Sequence, residues 1–163
     1  MNRATLCVAV AILALAGIMT SHYCEAEGVR DKNNSQQQRH DSAKRIARAW
    51  WSAMLEADAP TLLSLADVPF SLDGKRICES MFEVREHLYT SEEHFAAKAQ
   101  EWKDKGVAIL DVVILSDEKR FADDGFAIDR IVVQVTIGNE HEKAPVRLRI
   151  RPGVAYKVTG VRG

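Results

Sequence analysis

From about Ile128 to Ile137, and again from Ala144 to Arg151, the chain alternates in twos. Ile131, Val133, Val135 and Ile137 take turns with Val132, Gln134 and Thr136, and Val146, Leu148 and Ile150 take turns with Arg147, Arg149 and Arg151. A period of two belongs to a strand, and it puts the branched apolar side chains on one face and the wetter ones on the other. Val107 to Leu115 and Val154 to Val161 are further strand-like runs on either side, the second joined to the run ending at Arg151 by Pro152-Gly153. Neighbouring strands with connections this short pair antiparallel, because a parallel return needs a long crossover. A meander with one greasy face must be covered, and the material for the cover lies upstream.

That material is helical. Asp41 or Ser42 can cap a first helix in which Ile46, Trp50, Ala53, Met54 and Ala57 recur at helical spacing, with Trp51 and Leu55 widening the apolar face. Asp58 caps a short second helix with Pro60 in its first turn, followed by Leu62, Leu63, Leu65 and Ala66. Val68 to Leu72, the dipeptide Asp73-Gly74, and Lys75 to Cys78 read as a hairpin with a primed turn, Pro69 marking an edge or a strand start. Ser80 with Glu83 and Thr90 with Glu93 are capping-box spacings for two further helices, the second carrying Phe95, Ala99 and Trp102 and stopping at Gly106. Helices early and strands late give an α+β domain with the helices over the apolar sheet face.

The N-terminus predicts export. Arg3 precedes an apolar run from Leu6 to Met19, shorter than the roughly 20 residues that span a bilayer comfortably. Cys24-Glu25-Ala26 offers small side chains at the positions a signal peptidase reads, so residues 1–26 read as a signal peptide, with an uncleaved anchor as the alternative. Residues 27–41 hold one large apolar side chain, Val29, and read as a disordered spacer ahead of a domain over 42–163. The expected location is periplasmic or secreted, with no membrane span after cleavage. Cleavage would leave Cys78 as the only thiol, read as a small buried hydrophobe. With 22 basic against 23 acidic side chains there is no broad footprint for nucleic acid.

The stretch RAWWSAMLEADAPTLLSLADVPFSLDG, residues 48–74, resembles the SnoaL-like and nuclear transport factor 2-like superfamily: an aromatic-rich first helix ending in Ala57-Asp58, a Leu-rich second helix, Ala66-Asp67, and a strand running into Asp73-Gly74. The resemblance covers about residues 42–162. It implies a cone, a curved antiparallel meander sheet wrapped around N-terminal helices, and a superfamily of enzymes, ligand-binding domains and docking modules. Isomerases of the ketosteroid type in that superfamily use an Asp base with Tyr and protonated Asp donors. Their base position falls on Asp73, their Tyr position on Trp50, and their second Asp near Arg147. Only the first is the same residue type.

Two function classes follow. The first is a small-molecule-binding or protein-docking domain without turnover, its aromatic lining or core formed by Trp50, Trp51, Phe70, Tyr89 and Trp102, its ligand apolar or amphipathic, or its sheet docked on a second copy. The second is a cofactor-independent isomerase, dehydratase or hydrolase using Asp111 or Asp73 with His87. Asp111 interrupts an apolar strand, which places it at an exposed or paired position or in a pocket. No metal site and no cofactor are expected, since no His pair has the spacing of a zinc helix. His40 and His141 are expected in solvent. Arg147, Arg149 and Arg151, with Lys157, form a basic stripe on the wet face that could hold an anion or simply keep the sheet soluble.

Overall fold

The computed structural model describes residues 34–88, 91–121 and 127–163. The chain divides into two units, Met1–Gln38 and Arg39–Gly163. Of the first unit, residues 34–38 are described and are helical. The predicted signal peptide lies outside the described residues, as does the start of the predicted spacer. The rest of that spacer, 34–41, is helix.

Helix α1 covers residues 34–56. Ala43, Ala47, Trp50 and Trp51, and Ala53 on the next turn, are its buried face, a broad stripe at helical spacing. Ala57 then turns left-handed, with φ 54°. The amides of Ala57 and Asp58 return to the carbonyls of Met54 and Ala53 at 3.4 and 2.9 Å, a Schellman ending. Asp58 immediately caps α2 (Ala59–Leu65), accepting from the Thr61 amide at 3.0 Å. That bond holds its carboxyl below the usual range.

Strand β1 (Ala66–Leu72) and β2 (Arg76–Cys78) form the expected hairpin, with Asp73 at φ 49° and Gly74 at φ 70°. Pro69 lies inside β1, within the register break between Ala66 and Ser71, so its missing N–H leaves no ladder bond open. In α3 (Met81–Leu88), Ser80 Oγ accepts from the Glu83 amide and the Glu83 carboxylate reaches back to the Glu79 amide. Helix α4 (Glu92–Asp104) is capped by Ser91, one residue after the expected Thr90, through the His94 amide.

Strands β3 (Ala108–Phe121), β4 (Ala127–Gly138), β5 (Lys143–Arg151) and β6 (Lys157–Arg162) make the antiparallel meander. The six-stranded order is β2-β1-β6-β5-β4-β3. One pairing goes beyond the sequence pattern: β1 joins β6 in parallel, and everything between them in the chain supplies the long crossover. The sheet is therefore mixed, and the fold is the α+β cone that the resemblance implies. Phe70, Ile131, Val133, Val135, Leu148, Ile150 and Val158 face α1 as one buried cluster, where Trp50 stacks on Phe70 at 5.8 Å between ring centroids. Two bulges interrupt β3, between Ile109 and Asp111 and between Ile114 and Ser116, and such bulges bend a strand and raise its twist.

Candidate functional site

The interior of the sheet is filled, which is the core role of the two that the sequence offers for its aromatic residues. Trp50 and Phe70 are 1 % and 0 % exposed and pack on each other, so both are core. Trp51 is buried too and leans on Trp102 at 6.4 Å, its indole N–H without a partner among the described residues. Tyr89 lies outside the described residues.

Of the five aromatic candidates, Trp102 opens onto a cavity. A cleft of about 470 Å³ lies between α4 and the β4–β5 turn, with Trp102, Val107 and Ile137 as apolar lining and Lys98, Glu101, Lys105 and Asn139 among its polar groups. Each wall has a local cause. Lys98, Glu101 and Lys105 follow helical spacing, and Glu101 accepts from Lys98 Nζ at 2.7 Å and Lys105 Nζ at 2.6 Å. The bonds from Lys105 and then Lys98 pull the Glu101 carboxyl down to about 2, and the bond to Glu101 raises the Lys105 ammonium. Lys98 Nζ also stands 5.9 Å from the Trp102 ring centroid, within cation–π range.

The opposite wall is a turn that only one residue can start. At Gly138, φ is 152° and a Cβ would meet the Glu142 carbonyl oxygen at 2.0 Å. Asn139 Oδ1 accepts from the amides of His141 and Glu142, both at 2.9 Å, while Asn139 Nδ2 donates to the Lys105 carbonyl at 2.8 Å. The turn is thus tied to the end of α4, and the cleft is held from both sides. An ionised carboxylate already bonded to two ammonium groups is a poor proton acceptor, so this constellation suits binding better than acid–base chemistry.

The two alternative candidate acids lie on different parts of the sheet. Asp73 is exposed on the β1–β2 turn, its amide bonded to the Val161 carbonyl at 2.9 Å and its carboxylate accepting from the Gly163 amide at 3.3 Å. Asp111 is exposed at the first β3 bulge, its Oδ1 accepting from the Val112 amide at 2.8 Å. Four strand steps separate β1 from β3, about 19 Å along the sheet at 4.8 Å per step. His87 is half-buried in the last turn of α3, which packs on β1 and β2. Asp111 and Asp73 do not share a site.

His40 differs from the solvated position expected of it, whereas Cys78 does not differ from expectation. His40 is half-buried and bonds Asp117 at 3.1 Å, and Arg39 approaches Asp129 at 3.7 Å, so both side chains hold α1 to the β3–β4 hairpin. Cys78 is fully buried, and burial, with Glu83 nearby, pushes its thiol up and away from reactivity. Sequence reasoning missed the Lys98-Glu101-Lys105 spacing, which was visible as i, i+3 and i, i+4 pairs, and the Gly138-Asn139 turn, whose role depends on tertiary contact.

No protein-family model matches the chain, and no curated protein matches it in sequence. Among solved structures, a designed NTF2-type protein with a long sheet aligns at 13 % identity over 75 % of this chain and 95 % of its own, with a TM-score of 0.43. A ketosteroid isomerase-like protein from Erwinia carotovora atroseptica aligns at 13 % identity over 75 % of this chain and 92 % of its own, with a TM-score of 0.31. A de novo designed protein with a curved β-sheet aligns at 13 % identity over 74 % and 96 %, with a TM-score of 0.32.

Proposed function

We propose that this chain is an exported binding domain that takes a small amphipathic molecule in the cleft between α4 and the β4–β5 turn, without turnover. Export rests on the N-terminal sequence. Binding rests on one observation: a cleft of about 470 Å³ pairs the Trp102 ring with a fixed set of charges, while the sheet interior is filled by Trp50 and Phe70. An apolar body would lie on Trp102 and Ile137, and an anionic head would meet Lys98 and Lys105. Among the described residues no helix is long and apolar enough to cross a membrane.

Titration with 1-anilinonaphthalene-8-sulfonate, an aromatic anion, tests this reading. Its fluorescence should rise saturably on the native protein, and Trp102→Ala should weaken the apparent affinity about tenfold, the order expected for losing one aromatic contact. Circular dichroism must show that the variant remains folded. Equal affinity in wild type and variant would sink the reading.

A further inference from the structure

The outer face of the sheet carries a second recess. It encloses about 140 Å³ between Ser71, Val132 and Gly160 as floor, Arg147, Arg149 and Arg162 as cationic walls, and Glu118. Strand register explains the convergence. Arg147 on β5 lies directly opposite Arg162 on β6, and Arg149, the next outward residue on β5, lies opposite Gly160. Gly160 leaves the middle of the recess without a side chain, and its neighbour across the parallel pair is Ser71.

Two features set these arginines apart from ordinary surface charge. The rest of the basic stripe is occupied: Arg151 bonds the Asp67 carboxylate and Lys157 bonds the Ser64 carbonyl. Arg147, Arg149 and Arg162 make no ion pair among the described residues. In addition, Arg147 and Arg162 are a directly opposed like-charge pair, an arrangement that costs stability unless an anion lies between them. The Glu118 carboxylate lines the same recess and offsets one of the three charges, leaving a net +2; its Oε2 is buried with no hydrogen-bond partner among the described residues.

We infer that this recess binds a small organic dianion, a phosphate monoester or a dicarboxylate, gripped through paired oxygens by the opposed guanidinium forks of Arg147 and Arg162, with Arg149 closing the third side. Guanidinium groups match both ligand classes because each presents two coplanar oxygens. Glu118 would accept a hydrogen bond from a hydroxyl on a ligand that carries one. The site is separate from the Trp102 cleft, shares no residue with it, and stands or falls independently of it.

Thermal unfolding at constant ionic strength, with chloride replaced by inorganic phosphate or by succinate, is the test. At about ten times Kd, either probe should raise the Tm of the wild-type chain by about 5 °C. Arg147→Gln with Arg162→Gln should abolish the shift while remaining at least as stable in chloride, since it relieves the like-charge pair. Lys75→Gln, at the exposed turn, should keep the full shift. A response to phosphate alone assigns a phosphate monoester, and one to succinate alone a dicarboxylate. No shift with either probe at about 50 mM, where even weak sites fill, or an equal shift in the double variant, overturns the inference.

Discussion

Ala57 holds φ 54° at the end of α1, where the Schellman bonds to Met54 and Ala53 require a left-handed residue. Its Cβ makes that conformation costly, whereas glycine adopts it freely. Ala57→Gly should therefore stabilise the domain by about 1 kcal/mol, the steric cost of one left-handed L-residue, measured by urea unfolding with an unchanged slope. A loss of stability would mean that the Ala57 methyl contributes more packing than its backbone costs. Residues with a local rule were legible in the sequence: Asp58 as a cap, Asp73-Gly74 as a primed turn, Cys78 as a buried hydrophobe. Residues whose role depends on a distant partner were not. Nothing in the sequence around His40 announces Asp117, and Asp111 could be assigned between solvent and pocket only once the β3 bulge placed it outside.

Helix α4 shows the same division at the level of elements. Its periodicity and its stop at Gly106 follow from the sequence, but its pairing with the β4–β5 turn rests on Asn139 reaching the Lys105 carbonyl across the fold. The parallel pairing of β1 with β6 was equally hidden, because alternation specifies a strand's faces and not its neighbour. Only Gly160, where a Cβ would come within 2.9 Å of the Ser71 carbonyl oxygen, bears the mark of that approach. The last turns of α4 also carry a pH signature. The Glu101 carboxyl sits near 2 in the folded chain against a usual 4.5, so its contribution is complete above pH 4.5 and is lost as pH falls toward 2. The group is exposed, which keeps the effect small. Glu101→Gln should lower the Tm slightly at neutral pH, and the gap to wild type should close between pH 4.5 and about 2 in a series of calorimetric scans. A gap that persisted unchanged to pH 2 would remove the charge pairing as its cause.

At the scale of the whole molecule, the two faces of the sheet divide the work. The inner face is spent on the core, where Trp50 and Phe70 occupy the space a deep pocket would need. The outer face carries the basic recess, and its charge decides what kind of partner it could meet. A dimer through that face with twofold symmetry would place Arg147, Arg149 and Arg162 of one copy against the same three of the other. Six guanidinium groups brought together with two Glu118 carboxylates repel at low ionic strength and are screened as salt rises, with a Debye length of about 10 Å at 0.1 M. The chain should accordingly sediment as a monomer in low-salt chloride buffer at micromolar concentration. If a dimer forms through this face, it should appear only when a polyvalent anion fills the space between the arginines, and Arg147→Gln with Arg162→Gln should free it from that requirement. A dimer that is tightest at low salt without such an anion would place the contact on another surface, such as the exposed Ile77 and Phe82 beside the β2 edge, and would leave the basic recess open to solvent in the assembly.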